Sequence, residues 1–149
     1  MSDTNSAATA ASSAFAQLKL QPALLENLTA LGYSEMTPIQ AQSLPAVLQG
    51  KDVLAQAKTG SGKTAAFALG LLQALDVKSL NVQGLVLCPT RELADQVSQE
   101  IRRLARAVGN VKVVTLCGGV ALRGQVLSLE HGAHVVVGTP GRDRKSTRL

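Results

Sequence analysis

A short segment rich in glycine and ending in Lys-Thr places the strongest constraint on how this chain can fold. Its eight residues are Ala57, Lys58, Thr59, Gly60, Ser61, Gly62, Lys63 and Thr64. An apolar run at 52–55, which we expect to be a strand, precedes it, and a helical pattern at 65–75 follows it. This order is typical of a phosphate-binding loop, because glycine backbone can wrap around an anion that the helix N-terminus attracts.

Two side chains at the end of the loop carry the expected chemistry. Lys63 is predicted to bridge the β- and γ-phosphates of a nucleoside triphosphate, and the Thr64 hydroxyl to hold Mg²⁺. The simpler alternative is a glycine-rich turn that only joins strand to helix, and the matching flanks favour nucleotide binding. Ala57 stands where the general pattern has its first glycine.

The composition favours one domain with an aliphatic core. The chain has 149 residues, of which 46% are hydrophobic and 17% charged, enough for a single buried core. Its only aromatic residues are Phe15, Tyr33 and Phe67, so it lacks the repeated aromatic platforms on which single-strand-binding folds stack bases. The net charge of +5 suits an anionic partner. Residues 1–13 are rich in Ser, Ala and Thr, and we expect them to be a disordered tail.

Cysteine spacing and hydropathy argue against a zinc site and a membrane span. Cys88 and Cys117 form no CxxC pair and have no histidine at zinc-ligand spacing, so we expect two buried thiols in a reducing cytosol. His131 and His134 are predicted to be a surface residue and a strand start rather than ligands. No apolar stretch approaches the length of about 18 residues that a membrane helix needs. The sequence therefore predicts a cytoplasmic protein that does not contact membrane.

Helical and strand patterns alternate along the chain. Helices are predicted from Pro22 to a stop at Gly32, from Pro38 to about Leu48, at 91–107 and at 120–129. The third of these has one apolar stripe, formed by Leu93, Val97, Ile101, Leu104 and Val108. Short, nearly continuous apolar runs at 84–88, 111–116 and 134–137 are typical of parallel strands covered on both faces. The predicted fold class is α/β with a parallel sheet and flanking helices.

Two roles remain open for Gln40. Thr37 and Gln40 have the spacing of a capping box, in which each side chain satisfies a free N–H of the helix end. A side-chain amide also offers one donor and one acceptor, which match the edge of adenine. The residue pattern alone favours the cap.

Taken in order, five segments resemble the motifs of the DEAD-box RNA helicases. Phe15, Gly32-Tyr33 and 37–40 resemble the Q motif, and 57–64 resembles motif I, where alanine at the first position is usual. Pro89-Thr90-Arg91-Glu92-Leu93-Ala94 resembles motif Ia, Gly118-Gly119 the glycine doublet, and Thr139-Pro140-Gly141-Arg142 motif Ib. Met36 and the runs at 55–58 and 87–89 resemble one bacterial branch of the family, whose members act in ribosome assembly. The resemblance covers residues 15–142.

This resemblance implies a RecA-like P-loop NTPase domain over residues 14–142, with ATP and Mg²⁺ as cofactors and RNA, ribosomal in this branch, as partner. Phe15 would stack on adenine and Gln40 would hydrogen-bond to its edge, beside the phosphate contacts of 57–64. The RNA backbone would be contacted by Pro89, Thr90, Arg91, Gly118, Gly119, Thr139, Pro140, Gly141 and Arg142. Without the resemblance, Thr90 is a helix cap and the glycines are ordinary loop residues. Family members are mostly monomeric.

The resemblance also predicts that this chain is an N-terminal fragment. The family's Asp-Glu-Ala-Asp motif should follow motif Ib but does not occur, and a second RecA-like domain is also missing. Residues 143–149 have no apolar face and match the translation of a common sequencing adapter, so we expect a non-native tail. We expect weak ATP binding without useful hydrolysis, and no unwinding of RNA. The alternatives are a non-catalytic ATP- and RNA-binding module, or another P-loop enzyme such as a kinase or DNA translocase.

Overall fold

A computed structural model of the protein describes residues 14–141. The predicted N-terminal tail at 1–13, the predicted non-native tail at 143–149 and Arg142 lie outside the described residues. The chain separates into two compact units, Met1–Ala74 (unit 1) and Leu75–Leu149 (unit 2). None of the described helices is both long and apolar enough to cross a bilayer.

Unit 1 is helical in its described part. After a 3₁₀ turn at Phe15–Gln17, it contains α1 (Pro22–Ala30), α2 (Pro38–Leu48) and α3 (Lys63–Ala74). Helices α1 and α2 each begin with proline at the first helical position, which has no hydrogen-bonded N–H to lose. The predicted bounds of both helices are therefore confirmed. The fully buried leucines of this unit are Leu24, Leu28, Leu44, Leu69 and Leu72.

Helices α2 and α3 lie side by side and run in the same direction. A Cβ built on Gly70 in α3 would lie 2.0 Å from Val47 Cγ1 in α2, so only glycine allows this close approach. Near the other end of both helices, the Gln40 side chain contacts Gly62. The contacting residues follow the same order in both segments, Gln40 before Val47 and Gly62 before Gly70. The N-termini of α2 and α3 therefore lie together.

The strand predicted at 52–55 is wrong for the described structure. Residues 51–58 form no regular secondary structure, and the Leu54 side chain is fully exposed, at 103%. An extended segment becomes a strand only when a neighbour accepts its hydrogen bonds. No described residue pairs with this segment.

Unit 2 contains the parallel sheet. Its elements in order are β1 (Gly84–Leu87), α4 (Arg91–Leu104), β2 (Val113–Leu116), α5 (Leu122–Glu130) and β3 (Val135–Gly138). The strands are ordered β1-β3-β2 and are all parallel. Leu87 and Leu116 both pair with Gly138, so the three strands end in register. The predicted parallel α/β arrangement is confirmed, and the central strand β3 is buried throughout.

Helix α4 packs on β2 and β3, and α5 packs on β2. Because crossover connections are right-handed, the forward and return crossovers place these helices on opposite faces of the sheet. The stripe predicted for α4 is partly wrong: Leu93 is 39% exposed, while Ala94, Val97, Ser98, Ile101 and Leu104 are buried. The small Ala94 and Ser98 both face inward, and the Thr115 hydroxyl donates to Ser98 Oγ at 2.8 Å, a polar contact that the apolar pattern did not anticipate. The helix also ends at Leu104 rather than at 107.

Two side chains secure the free edge of β2 and the starts of β2 and β3. Arg102 Nη2 donates to Val113 O at 2.9 Å, so its guanidinium covers the free edge of β2. His134 is completely buried just before β3. Its Nδ1 accepts the Lys112 N–H at 2.9 Å, so the ring hydrogen is on Nε2, which lies 3.1 Å from Val77 O. His134 therefore joins the starts of β2 and β3 to the preceding loop.

Candidate nucleotide site and nucleic-acid interface

The predicted phosphate loop is closed by its own lysine. Lys63, the first residue of α3, donates from Nζ to the carbonyl oxygens of Ala57 and, at 2.8 Å, Lys58. The Ser61 N–H also reaches Lys58 O, at 3.3 Å. The amine is therefore held over the loop backbone, by carbonyl acceptors that phosphate oxygens can replace.

Gln40 connects the start of α2 to this loop. Its side chain is 1% exposed; Oε1 accepts the Thr37 N–H at 2.9 Å and Nε2 donates to Gly62 O at 3.1 Å. The predicted capping role of Gln40 is thus confirmed. The reciprocal Thr37 hydroxyl is placed for a capping box but falls outside hydrogen-bonding geometry, and its oxygen has no partner among the described residues. Contact of Gln40 with adenine stays a prediction, for which the amide retains one hydrogen and one lone pair.

The surroundings of the loop suit a triphosphate. The N-termini of α2 and α3 both lie at this loop, and each contributes partial positive charge. The Ser61 hydroxyl is buried without a partner among the described residues, so it has capacity for another hydrogen bond. The described part of the chain contains no cluster of three or more His, Cys, Asp or Glu side chains able to hold a metal ion. A Mg²⁺ ion here would depend on the nucleotide together with Thr64.

Phe15 is not presented to a ligand in this structure. Its side chain is 2% exposed and meets Tyr33 edge to face, with ring centroids 6.2 Å apart and planes at 82°. Stacking on adenine would require the ring to leave this buried position. That role therefore stays a prediction.

The predicted RNA contacts gather at one edge of the unit 2 sheet. The segments 88–91, 117–119 and 139–141 follow β1, β2 and β3. Because parallel strands that end in register place their carboxyl ends together, these loops share one edge. Arg142 is the only member of the predicted set that lies outside the described residues.

Motif Ia and the glycine doublet are in direct contact. A Cβ built on Gly119 would lie 2.6 Å from Arg91 Nη1, so the guanidinium lies against the glycine. No carboxylate in the described part of the chain pairs with Arg91. Thr90 caps α4 by accepting the Leu93 N–H at 3.3 Å, which leaves the Thr90 hydroxyl hydrogen available.

The segment after β3 offers fewer backbone donors. The Thr139 N–H donates to Leu116 O at 3.1 Å, so only its side-chain hydroxyl remains as a donor. Pro140 has no N–H, and Pro140 and Gly141 are in helical conformation at the limit of the described residues. The structure thus places Thr139, Pro140 and Gly141 at the shared edge, where the Thr139 hydroxyl is the donor that this segment offers.

Sequence reasoning missed Gln125, in α5. Its Nε2 donates to Cys117 O at 3.1 Å, beside the glycine doublet, and its Oε1 is buried without a partner among the described residues. A glutamine inside a helix gives no local signal of such a role. Only the packing of α5 against β2 brings it to this loop.

Comparison with known proteins identifies the family. The sequence model for the DEAD/DEAH box helicase family matches residues 37–148, most of the chain. The chain belongs to the DEAD/DEAH box helicase family. Among similar proteins, this helicase-family chain is 63% identical over 123 residues to the ATP-dependent RNA helicase DbpA of Escherichia coli, covering 83% of the chain and 27% of DbpA. DbpA represents the bacterial branch indicated by Met36.

Other members show the same relationship. The chain is 44% identical over 140 residues to the DEAD-box ATP-dependent RNA helicase CshA of Bacillus cereus, covering 91% of the chain and 26% of CshA. A DEAD box protein of Methanococcus jannaschii has a TM-score of 0.86 at 36% identity over 91% of this chain and 37% of that one. Dbp5 of S. cerevisiae, bound to RNA and ADP BeF3, has a TM-score of 0.81 and is 28% identical; the match covers 91% of this chain and 34% of the Dbp5 chain. The chain therefore spans about a quarter of the curated relatives' length.

Proposed function

We propose that this helicase-family chain binds ATP with Mg²⁺ at the phosphate loop and contacts the backbone of RNA through unit 2. The observation that best supports ATP binding is the buried Gln40 amide. It joins Thr37 to Gly62, which lies directly before Lys63. One side chain thereby links the predicted adenine motif to the predicted phosphate motif. The whole protein is proposed to be an ATP-dependent RNA helicase of the DbpA branch, acting in ribosome assembly.

Lys63, Thr64 and Gln40 would each perform one task at the nucleotide site. Lys63 would exchange its carbonyl partners at Ala57 and Lys58 for phosphate oxygens, and the Thr64 hydroxyl would help to hold Mg²⁺. A Mg²⁺ ion held there would supply neutralisation of the phosphate charge. Gln40 would use its remaining donor and acceptor on the base edge, which favours ATP over GTP because guanine reverses that pattern.

On unit 2, the RNA contact would come from Arg91, the glycine doublet and the Thr90 hydroxyl. These groups donate hydrogen bonds and contact phosphate rather than base edges, so they position RNA without recognising its sequence. The RNA present in the related Dbp5 structure supports this proposal. Binding of a labelled single-stranded RNA should weaken steeply as salt rises, because phosphate contacts release counterions.

Substitution of Lys63 tests the nucleotide site. We expect Lys63→Ala to weaken ATP binding by about 10- to 100-fold, because that factor corresponds to the free energy of one hydrogen bond between charged groups. The measurement is titration calorimetry with Mg·ATP and Mg·GTP. Lys78→Ala, which removes an exposed lysine of unit 2, is the charge-matched control and should leave ATP affinity unchanged. Equal affinity for GTP, or an Lys63→Ala variant that binds ATP as tightly as the original chain, would refute the proposal.

A non-catalytic ATP- and RNA-binding role is the second candidate for the chain by itself. The chain spans 27% of DbpA, so unwinding is proposed for the whole protein and binding for this chain. ATPase assays with and without RNA separate the two roles. We expect binding without RNA-stimulated turnover; strong stimulated turnover would establish the chain itself as an enzyme.

A further inference from the structure

The peptide between Cys117 and Gly118 is held by a side chain from α5. Gln125 Nε2 donates to Cys117 O at 3.1 Å. The amide can be oriented in only one way here, because the reverse orientation would place two acceptor oxygens against each other. The Cys117 carbonyl is therefore fixed toward α5.

Fixing this carbonyl also fixes the next donor along the chain. In a planar trans peptide the C=O and the N–H point in opposite directions, so the Gly118 N–H points away from Gln125. That N–H has no acceptor within the described part of the chain. The next residue, Gly119, lies against the Arg91 guanidinium. One free N–H and one unpaired cation thus lie on adjacent parts of the same edge.

A purely structural role does not account for Gln125 well. Its side chain is 9% exposed, and Oε1 has no hydrogen-bond partner among the described residues. A buried acceptor without a partner opposes folding. An apolar side chain of the same length would avoid that cost, so the benefit of glutamine at this position lies in the single hydrogen bond to Cys117 O.

We propose that Gln125 is a positioning residue for RNA: it orients the Cys117–Gly118 peptide so that the Gly118 N–H can donate to an RNA phosphate beside Arg91. This inference rests on the proposed RNA contact of the glycine doublet. Gln125 itself does not touch RNA. Its effect passes through the backbone of the loop.

The first measurement examines the loop without RNA. Gln125→Met keeps the length of the side chain and removes the amide, and Ser128→Ala, at an exposed position on the same helix, is the matched control. Amide resonances of Gly118 and Gly119 should shift and broaden in Gln125→Met and stay unchanged in Ser128→Ala. Unchanged glycine resonances in Gln125→Met would overturn the proposal, whatever the RNA result.

The second measurement is the affinity for a fluorescently labelled single-stranded oligouridine. Gln125→Met should weaken binding by about tenfold, as expected for one lost hydrogen bond to a charged group. ATP affinity should be unaffected. Arg91→Ala is the positive control for RNA contact at this edge. If Arg91→Ala weakens binding and Gln125→Met does not, the positioning role is refuted while the RNA proposal stands.

Gln125→Glu provides a readout that a merely structural role would not show. An ionised carboxylate cannot donate to Cys117 O, whereas a protonated carboxyl group can. RNA affinity of the Glu variant, taken relative to the original chain at each pH, should therefore recover as the pH falls, and that of Gln125→Met should not. Parallel behaviour of the two variants across pH would contradict the proposal. If the original chain binds no RNA, the proposed function fails, and the glycine resonances still decide whether Gln125 orders the loop.

Discussion

Gly62→Ala should be the most damaging glycine substitution in the phosphate loop. Gly62 has φ +89°, in the left-handed region, and a Cβ there would lie 2.4 Å from Gln40 Nε2 and 3.0 Å from Thr37 Oγ1. The Gln40 amide would have to move, although it is buried and hydrogen-bonded at both ends. Backbone strain and a steric clash therefore act together.

The size of each contribution follows from the contacts. Left-handed backbone costs a non-glycine residue about 1–2 kcal/mol, and a smaller unfolded-state entropy returns about 0.4–1 kcal/mol. Displacing the buried Gln40 amide from its partners adds about 2 kcal/mol. We expect Gly62→Ala to lower the free energy of unfolding of unit 1 by about 3 kcal/mol in total.

Gly60→Ala measures the cost of left-handed backbone without a steric clash. Gly60 has φ +77° but no atom within 4 Å of a built Cβ, so its substitution should cost only about 1 kcal/mol. The assay is urea denaturation followed by tyrosine fluorescence. Tyr33 is the only tyrosine, and the chain has no tryptophan, so the signal reports on unit 1.

A double-mutant cycle identifies the clashing partner. Once Gln40→Ala has removed the obstructing amide, Gly62→Ala should cost about as little as Gly60→Ala, which gives a coupling energy of about 2 kcal/mol. Equal destabilisation by the two glycine substitutions, or strictly additive effects of Gln40→Ala and Gly62→Ala, would show that the steric argument is wrong.

Two further predictions concern unit 2. His134→Ala should lower the free energy of unfolding by about 2–4 kcal/mol, measured by chemical denaturation, because the part-buried Lys112 N–H and Val77 O both lose their partner and the fully buried ring leaves a cavity; a change below about 1 kcal/mol would contradict this bridging role. Burial, reinforced by the neighbouring Cys117, raises the pKa of the Cys88 thiol above its ordinary value. The folded state then holds this proton more tightly than the unfolded state, so the contribution to stability is present below about pH 9 and is lost as the pH rises further. Alkylation of Cys88 should accordingly be slow in the native protein at neutral pH and fast in urea; rapid native alkylation would refute it.

The features predicted best from the sequence are those set by neighbouring residues. The starts of α1 and α2 follow from Pro22 and from Thr37-Pro38, and the capping role of Gln40 follows from its spacing to Thr37. The three strands of the sheet also follow from short apolar runs, but the expected cover on both faces holds only for the central strand β3, because Leu85 and Leu87 of β1 are exposed.

Features that depend on distant partners could not be predicted in this way. The run at 52–55 has the composition of a strand, but pairing requires a neighbour that no local pattern supplies. The buried face of α4 is set partly by a hydroxyl pair, Ser98 and Thr115, rather than by hydrophobicity. The contact of Gln40 with Gly62 and that of Gln125 with Cys117 each join separate elements, so their partners became evident only from the fold.

The guanidinium of Arg102 makes the two edges of the sheet, β1 and β2, unequal for self-association. It occupies an outward carbonyl of β2, whereas the outer edge of β1 is unpaired among the described residues, and Leu85 and Leu87 are 53% and 51% exposed. A sheet with two open edges can add copies at both sides without limit. Because Arg102 obstructs the β2 edge of the described sheet, two copies that pair through the β1 edge leave no ready site for a third. We therefore expect association through this sheet to stop at a two-fold symmetric pair instead of growing into a fibre.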